Sequence, residues 1–330
     1  MTVLVTGGAG YIGSHMTLAL LDAGRKVVVL DDLSTGFRWA VPEGASFVEG
    51  CVGDERLVRQ IIAERDVDAV VHFAGSIVVP DSMRDPLDYY LNNTARSRSL
   101  IAAAVAGGVK RFVFSSTAAV YGESRGEPLD EGALLAPVSP YGASKLMTER
   151  MLADASAAYG LRYVALRYFN VAGADPKGRS GSSSARATHL IKLATQAALG
   201  KRDKLQVFGE DYPTPDGTCL RDYIHVTDLA EAHLLALDHL AGGGRDLIAN
   251  CGYGRAASVK EVVASVKRIS GVDFPVETAP RRPGDPAALV ARPDRVRAVL
   301  GWRPRFDDLD TIVAHALAWE KALSEREAAA

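Results

Sequence analysis

The chain has 330 residues, of which 48% are hydrophobic, so it can bury a large core, and disorder is excluded as the default. Its 38 Lys and Arg residues against 40 Asp and Glu residues leave a formal net charge of -2, which argues against nucleic-acid and anionic-membrane partners. Cys51, Cys219 and Cys251 are widely spaced and form no CxxC pair, so we expect reduced thiols and no metal site.

The amino terminus reads directly as an apolar strand, without the basic region of a secretion signal. The longest stretch of small apolar residues, 101–109, contains two glycines and is shorter than the roughly 20 residues that a bilayer requires. We therefore expect a soluble, cytoplasmic protein with no membrane partner.

Short β-branched runs alternate with longer segments of helical period along the first half of the chain. The predicted strands lie at 2–6, 26–31, 46–48, 68–74, 110–115 and 161–168. The predicted helices between them lie at 11–23, 54–65, 86–106 and 140–158. This alternation predicts an α/β fold with a doubly wound parallel sheet.

After Asn170 the pattern loosens, and residues 173–184 predict a long loop. Further strands are predicted near 206–208 and 247–250, with helices near 226–240 and 258–269. Those late strands either return to the main sheet or pair with each other. We therefore predict a dinucleotide-binding domain at 1–170, which also carries the catalytic helix, and a smaller C-terminal substrate-binding lobe at 171–330.

A glycine-rich segment follows the first predicted strand and opens the first predicted helix. Glycine allows a tight turn and a close approach to a pyrophosphate, whose charge the helix N-terminus offsets. An isolated glycine pattern would more often be an ordinary turn, but this position favours a dinucleotide. The candidate cofactor residues here are Gly7, Gly10, Tyr11, Ile12 and Gly13.

Asp31 lies at the end of the second predicted strand. A carboxylate there can accept hydrogen bonds from adenosine ribose hydroxyls and would repel a 2'-phosphate, which favours NAD over NADP. Asp32 is a second candidate, although by itself it could be a solvated turn residue.

Tyr141 and Lys145 are four residues apart on a predicted helix, so both side chains emerge from one face. A nearby ammonium and an oxidised nicotinamide would lower the phenol pKa and make Tyr141 a base near neutral pH. Such a pair alone is more often a surface feature, but its place downstream of the glycine-rich segment favours catalysis.

Ser115 and Thr117 follow another predicted strand, which places their hydroxyls at the same edge of the sheet. We expect Thr117 to contact a substrate hydroxyl and Ser115 to support the cofactor. The alternative is a helix cap, which Ser115 or Ser116 could supply.

With these residues in place, the chain resembles the extended short-chain dehydrogenase/reductases, and within them the UDP-glucose 4-epimerase (UDP-galactose 4-epimerase) family, over nearly its whole length. The resemblance rests on residues 6–14, 72–75, 89–93, 115–122, 139–145, 166–170, 208–214, 221–226 and 281–285. It implies a Rossmann-type fold and tightly held NAD.

The resemblance also implies a reaction. Tyr141 would remove the sugar O4 proton while hydride passes from C4 to NAD, and the 4-keto sugar would turn over before hydride returns to its opposite face. Thr117 would bridge the O4 hydroxyl, and Lys145 would hold the nicotinamide ribose. Further residues that the resemblance places at the cofactor are Phe73, Ala74, Gly75, Asn92, Ser115 and Tyr168.

The second half would hold UDP, because the resemblance assigns to it Asn170, Leu190, Phe208, Arg221, Tyr223, Val259, Arg282 and Asp285. The chemistry of these side chains agrees, since arginine suits phosphoryl groups, an aromatic wall suits uracil and a carboxylate can accept from ribose hydroxyls. The substrates implied are UDP-glucose and UDP-galactose.

Four positions depart from the family pattern. Cys51 stands where an aspartate usually contacts adenine, Ile77 replaces a lysine near the nicotinamide, and His189 replaces an asparagine of the uridine pocket. Leu289 occupies the position whose size is associated with tolerance for an N-acetyl group, and leucine does not decide that question.

The nearest rival is a sugar-nucleotide 4,6-dehydratase, but Ala118 and Ala119 stand where dehydratases carry an Asp-Glu pair after the threonine. A 4-epimerase for N-acetylated, pentose or uronate UDP-sugars stays open. A non-enzymatic NAD-sensing regulator is a further alternative, although it would not need Thr117, Tyr141 and Lys145 together. The resemblance also implies a homodimer joined by the helices at 86–106 and 140–158.

Overall fold

The computed structural model describes residues 1–122, 127–184, 188–282 and 285–329. Pro283 and Gly284, from the last family motif, lie outside these ranges. The strands are β1 Thr2–Thr6, β2 Lys26–Asp31, β3 Ser46–Glu49, β4 Val67–His72, β5 Arg111–Thr117, β6 Arg162–Tyr168, β7 Asn170–Ala172, β8 Leu205–Phe208, β9 Leu220–His225, β10 Leu247–Cys251, β11 Ala256–Ser258, β12 Val276–Ala279 and β13 Ala288–Leu289.

The helices alternate with these strands. The α-helices are α1 Tyr11–Asp22, α2 Glu55–Arg65, α3 Val79–Arg84, α4 Pro86–Tyr89, α5 Arg96–Ala106, α6 Pro140–Tyr159, α7 Leu190–Ala198, α8 Val226–Ala241, α9 Val259–Ser270, α10 Asp294–Leu300 and α11 Leu309–Ala329. Two short 3-10 turns cover Arg38–Ala40 and Ala118–Val120, and a π-helix covers Tyr90–Ala95.

Seven parallel strands form the main sheet in the order β10-β6-β5-β4-β1-β2-β3. Its central strands are buried on both faces, as is usual for a parallel sheet covered by helices. Alternate side chains of β1 enter two different core clusters. Val3 and Val5 pack into a cluster with Met16 of α1 and Leu229 of α8. Leu4 packs on the other face with Leu152 of α6. The predicted doubly wound α/β fold is confirmed.

Local capping signals place the ends of the helices that were predicted. Ser139 accepts a hydrogen bond from Gly142 N at the start of α6, and Pro140 occupies the first helical position, where its missing N–H costs nothing. Ser258 and Glu261 form a capping box at the start of α9. Asp54 caps α2, where its side chain accepts a hydrogen bond from Leu57 N.

The predicted continuous helix at 86–106 is wrong in detail. The backbone there runs through α4, the π-helix Tyr90–Ala95 and then α5. Such a single wide turn inserts an extra residue into the helical repeat, and it is frequent at functional sites. Here it carries Asn92 and Asn93, whose amides are both turned toward Ser76.

The second half of the chain divides between the two predicted outcomes for its late strands. Strand β10 returns to the main sheet beside β6, whereas β8 pairs with β12. Strands β7, β9, β11 and β13, which short irregular sequence concealed, form a second sheet. Helix α8 packs against α1 on one face of the main sheet. Residues from both halves of the chain therefore form the hydrophobic core on that face.

Four buried histidines predict that acid destabilises the fold. Burial lowers the pKa of His15 and His233 to about 4 and that of His72 and His225 to about 3. In the unfolded chain these histidines bind protons below about pH 6.5, whereas in the folded chain they stay neutral. Their contribution to the free energy of unfolding is therefore complete above pH 6.5 and is lost as the pH falls. Each histidine should lower the free energy of unfolding by about 2 kcal/mol between pH 7 and pH 5.

Urea unfolding at pH 7 and pH 5 measures this effect, and a His233→Leu variant should lose about 2 kcal/mol of the pH dependence. A free energy of unfolding that does not change between the two pH values would contradict the prediction.

Candidate active site

Most of the predicted cofactor and catalytic residues lie at or near the carboxyl ends of β1, β2, β4, β5 and β6. The chain order reverses between β1 and β4, since β2 and β3 extend the sheet to one side and β4 to β6 to the other. A crevice forms at such a switch point because the loops leaving the two central strands diverge.

The glycine-rich loop between β1 and α1 requires glycine at two positions. Gly7 has φ +71°, in the left-handed region, and a Cβ at Gly13 would lie 2.1 Å from the Gly7 carbonyl oxygen. The loop therefore lies against the start of α1, where Gly10 has no side chain to cap the first N–H groups. These N–H groups and the helix dipole could hold an anionic group such as a pyrophosphate.

Asp31 at the end of β2 is tied directly to this loop. Its Oδ2 accepts a hydrogen bond from Ala9 N at 2.9 Å, and its Oδ1 accepts one from Leu33 N at 2.9 Å. Burial raises the pKa of the Asp31 carboxyl, and the two backbone hydrogen bonds oppose that shift. Each oxygen retains a lone pair, so Asp31 is held in place and can still accept from a ribose hydroxyl.

Asp32 has a different environment. Its side chain is exposed, and its Oδ1 accepts hydrogen bonds from both the N–H and the hydroxyl of Ser34. The Asp32 carboxylate is thus hydrogen-bonded within its own turn. Its contact with the cofactor stays a prediction. Cys51 lies at the same side of the sheet, and its Sγ accepts from Gly53 N at 3.4 Å.

The segment after β4 supplies the next part of the crevice. Phe73 N donates to Thr6 O at 3.0 Å, and the Phe73 ring lies 4.9 Å from the ring of His233. Ala74 and Gly75 continue this turn, and a Cβ at Gly7 would meet Ala74 N at 2.6 Å. The glycine-rich loop and the Phe73–Gly75 turn are therefore in contact.

Asn92 is held beside this turn by two hydrogen bonds. Its Nδ2 donates to Ser76 Oγ at 2.8 Å, and its Oδ1 accepts from Arg96 Nη1 at 2.7 Å. The neighbouring Ile77 is exposed. Protein groups thus set the orientation of the Asn92 amide, and its contact with the cofactor stays a prediction.

The catalytic candidates come from two elements that meet at one point. Ser115 and Thr117 end β5, whereas Tyr141 and Lys145 lie in the first turns of α6. Lys145 Nζ donates to Ser115 O at 3.0 Å, and Thr117 and Tyr141 share a side-chain hydrogen bond. The Ser115 hydroxyl is hydrogen-bonded to the Tyr168 phenol. The structure therefore brings together all five predicted residues.

Burial disfavours the charged forms of both Tyr141 and Lys145 in this cluster. Burial raises the pKa of Tyr141, and the hydrogen bond with Thr117 only partly opposes it. Lys145 is 3% exposed, and burial lowers its pKa to about 8. Desolvation of the phenolate dominates among the protein groups, and the predicted lowering of the Tyr141 pKa, which also needs the oxidised nicotinamide, stays a prediction.

A cavity of about 50 Å³ adjoins the amino-terminal end of α1. Tyr11 connects it to the glycine-rich loop, since the Tyr11 hydroxyl donates to Gly173 O at 2.7 Å. Among the predicted substrate residues, the cavity is lined by Asn170, Leu190 and Tyr223, together with His189. Asn170 and Tyr223 are register partners on β7 and β9, so the second sheet sets their separation.

The remaining predicted substrate residues form a second group on the outer side of β9. Arg221 Nη1 donates to Leu220 O and Pro286 O, and its Nη2 lies 3.5 Å from Asp285 Oδ1. The Arg282 guanidinium lies 3.9 Å from the centre of the Phe208 ring. Val259 begins α9 beside this group, and its N–H donates to Cys219 O.

The Arg221 and Arg282 group thus provides two cations, an aromatic face and a carboxylate at one surface. Leu289 is the register partner of Arg221 on β13 and packs near Phe169. The structure joins this group to the cavity through β9, which carries Arg221 and Tyr223 two residues apart.

Sequence reasoning missed the contribution of the carboxyl-terminal helix. Trp319 and Glu320 of α11 line the cavity, and Glu320 forms a buried ion pair with Lys192 of α7. These partners are 128 positions apart. A local pattern carries no signal for such a pair, although the apolar period of α11 could have predicted the helix itself.

Within residues 1–122, 127–184, 188–282 and 285–329, no group of three or more His, Cys, Asp or Glu side chains could hold a metal ion. No helix in the same part of the chain combines the length and apolar character needed to cross a membrane.

Comparison with known proteins gives consistent matches. Residues 3–252 match the model of the NAD dependent epimerase/dehydratase family. The chain is 59% identical over 323 residues to the UDP-glucose 4-epimerase of Azospirillum brasilense, covering 98% of this chain and 93% of that protein.

Two solved structures are similarly close. The UDP-glucose 4-epimerase of Brucella ovis in complex with NAD has 47% identity and a TM-score of 0.93, with 96% of this chain and 97% of that chain covered. The UDP-Glc/GlcNAc 4-epimerase of Campylobacter jejuni has 46% identity and a TM-score of 0.85, with 97% and 99% covered.

Proposed function

The chain belongs to the NAD dependent epimerase/dehydratase family, and from that membership we propose that it is an NAD-dependent enzyme that interconverts UDP-glucose and UDP-galactose at C4. The observation that carries this proposal is the contact of Thr117, Tyr141, Lys145 and Ser115 at the crevice beside the glycine-rich loop.

The crevice fits NAD. The loop at Gly7–Gly13 is shaped for a pyrophosphate, since side chains at either glycine would collide with backbone atoms. Asp31 can accept from the adenosine ribose, and Phe73, Asn92 and Tyr168 lie along the path toward Lys145. NAD, when bound, supplies the hydride acceptor and donor, and its cationic nicotinamide lowers the pKa of a nearby phenol.

Tyr141 is the base that takes the O4 proton in this proposal. Its phenol is buried, so a phenolate forms there only with help from its neighbours. The Thr117 hydroxyl supplies one hydrogen bond to it, and the Lys145 ammonium is held at the Ser115 carbonyl. The 4-keto sugar is uncharged at C4, and the same Tyr141 returns the proton when the opposite face has been reduced.

The residues after Thr117 favour epimerisation over elimination. Ala118 and Ala119 begin the 3-10 turn that follows β5, and Ala118 is buried. Removal of water across C5 and C6 needs a further acid and base, and alanine offers neither. The 4-keto sugar therefore has Tyr141 as its proton-transfer partner at this edge.

UDP is proposed to lie between the Arg221 and Arg282 group and the cavity. Guanidinium groups suit the two phosphoryl groups because they donate in a fixed fork. Arg221 is already oriented by the carbonyls of Leu220 and Pro286, so little side-chain entropy is lost on binding.

Replacing Arg221 with methionine should raise KM for UDP-galactose about 30-fold with little change in kcat, because one charge-assisted contact to phosphate is worth about 2 kcal/mol. Steady-state kinetics measure this, with Arg268→Met on the exposed face of α9 as the control. A variant with lowered kcat and unchanged KM would contradict the assignment.

The function is tested by adding UDP-galactose to the purified protein without external NAD and following UDP-glucose by NMR. Conversion would support both the 4-epimerase and tightly held NAD. Failure of every UDP-sugar after NAD is supplied, with a uronate included, would reject the enzyme and favour an NAD-sensing role.

The substrate range is tested in the same assay with UDP-N-acetylgalactosamine and UDP-arabinopyranose. Leu289 is partly buried beside Arg221, and one similar protein is a UDP-Glc/GlcNAc 4-epimerase. Comparison of the three rates decides whether the leucine side chain admits an N-acetyl group.

We further propose a homodimer formed through α4, the adjacent π-helix and α6. Leu87, Leu91 and Met147 on these elements are 77%, 52% and 45% exposed, which is unusual for large apolar side chains grouped on neighbouring helices. Sedimentation equilibrium should give twice the chain mass, and a Leu87→Lys/Leu91→Lys variant should sediment as a monomer. A wild-type monomer would contradict the proposal.

The free thiols of all three cysteines agree with a cytoplasmic location.

A further inference from the structure

A buried ion pair connects the catalytic helix to the sheet behind the catalytic strand. Glu149 of α6 and Arg167 of β6 are each 3% exposed, and their side chains meet in a bidentate arrangement. Arg167 Nη2 donates to Glu149 Oε2 at 2.6 Å, and Arg167 Nε donates to Glu149 Oε1 at 2.9 Å. Neither residue touches the cavity or the Arg221 group.

The Glu149 end of this pair also holds β5. Ser116 Oγ donates to Glu149 Oε1 at 2.5 Å. Because side chains alternate along a strand, Ser116 points away from Ser115 and Thr117, the two residues that face the catalytic cluster. Glu149 lies one helical turn beyond Lys145, so a single face of α6 contacts β5 at both Ser115 and Ser116.

The Arg167 end extends the contact across the sheet. Arg167 is the register partner of Ser116 on β5 and of Asn250 on β10. Its Nη1 donates to the Tyr121 hydroxyl at 3.0 Å, and that hydroxyl donates to Asn250 Oδ1 at 2.6 Å. The next residue, Tyr168, contacts the Ser115 hydroxyl on the opposite face.

We propose that Glu149, Arg167 and Ser116 are positioning residues, which set the distance from Thr117 and the Ser115 carbonyl to Tyr141 and Lys145. This inference rests on the proposed function. The catalytic groups belong to two separate elements, β5 and α6, so their separation depends on how the helix is seated on the strand. A charge-assisted bidentate pair has a narrower range of geometries than an apolar contact of the same volume.

A gain in stability does not by itself explain why an ion pair, and not an apolar pair, lies at Glu149 and Arg167. An apolar pair of similar volume is often as stable as a buried ion pair, because desolvation offsets the attraction. Placement of the reacting groups does explain it, since a displacement of about 1 Å from a remote substitution can lower a rate by about 100-fold.

The first test is Ser116→Ala, which releases β5 from Glu149 and leaves the ion pair intact. We expect kcat for UDP-galactose to fall about tenfold, with KM and NAD content unchanged. Ser116→Thr, which keeps the hydroxyl, should recover most of that loss. An unchanged kcat in Ser116→Ala would overturn the role of Ser116 as the link.

The second test is the double variant Glu149→Leu/Arg167→Met, which removes both charges together and so leaves no unpaired ion. We expect a thermal midpoint close to that of the wild type and a kcat lowered about 100-fold. A folded, NAD-loaded double variant with wild-type kcat would overturn the proposal. If the double variant does not fold, the Ser116 pair of variants still decides.

The control is Asp175→Asn/Arg179→Met, which removes a partly buried ion pair together with the ion pair between Arg179 and Asp22 of α1. It should keep the wild-type kcat. A loss there equal to that of the Glu149/Arg167 variant would overturn the proposal, because any buried pair would then have the same effect.

Tyr141 ionisation separates failure of this proposal from failure of the proposed function. The phenolate absorbance difference between each protein and its Tyr141→Phe derivative reports that pKa without any substrate. We expect the Tyr141 pKa to rise in Ser116→Ala and in the double variant, because the contact between Thr117 and the Tyr141 phenol is loosened in both. A wild type that converts no UDP-sugar rejects the function, whereas an unmoved Tyr141 pKa rejects the positioning role.

Discussion

Replacing Tyr141 with phenylalanine is expected to lower kcat for UDP-galactose by about 1,000-fold, while KM changes little. In the proposed reaction the phenol is the proton acceptor for O4, and removing a positioned general base costs about 100- to 10,000-fold. The ring stays, and Tyr141 is buried at the start of α6, so the fold and the crevice should persist. Single-turnover reduction of the bound NAD measures the loss directly.

The matched control for that variant is Tyr159→Phe, at the exposed carboxyl end of the same helix. It should keep the wild-type kcat. A Tyr141→Phe enzyme that retains more than about a tenth of wild-type activity would exclude Tyr141 as the base. Thr117 would then be the next residue to test, because it shares the hydrogen bond with the phenol.

Replacing Lys145 with methionine is expected to have opposite effects on activity and on stability. The kcat should fall about 100-fold, because the ammonium that is proposed to hold the nicotinamide ribose is lost. The NAD-free protein, in contrast, should become more stable at pH 7. Burial lowers the pKa of Lys145 from 10.5 to about 8, so the fold carries a charge that it disfavours.

The sign of the stability change follows from proton binding. Below pH 8 both folded and unfolded lysine are protonated, and the folded chain bears the full desolvation cost, about 3 kcal/mol. As the pH rises from 8 to 10.5, folded Lys145 is neutral first and the cost disappears. The methionine variant should therefore gain about 2 kcal/mol at pH 7, after loss of the hydrogen bond to Ser115, and the gain should shrink above pH 8.

Urea unfolding of both NAD-free proteins at pH 7 and pH 9 measures this difference. Lys110→Met, an exposed lysine just before β5, serves as the control for losing a positive charge. A Lys145→Met protein that is less stable than the wild type at pH 7 would show that burial of this lysine is not costly.

Much of the cofactor site could be predicted from sequence because its signals are local. The glycines of the first loop, Asp31 at a strand end and the Tyr141–Lys145 spacing each lie within one βα unit or one helix. Backbone geometry then determines where such residues point. The helix starts at Ser139 and Ser258 were equally readable, since a cap is a contact between near neighbours.

Sequence by itself therefore determined the α/β fold, the position of the glycine-rich loop and the placement of Tyr141 and Lys145 on one helix, whereas only the tertiary structure decided which distant residues come into contact. It returned β10 to the main sheet, placed Glu320 on Lys192 and joined Ser116 to Glu149. It also buries the Tyr141 phenol, which raises the pKa of that group among the protein's own residues. Periodicity reports the neighbours of a residue along the chain, but burial and partner geometry depend on elements that meet only after folding.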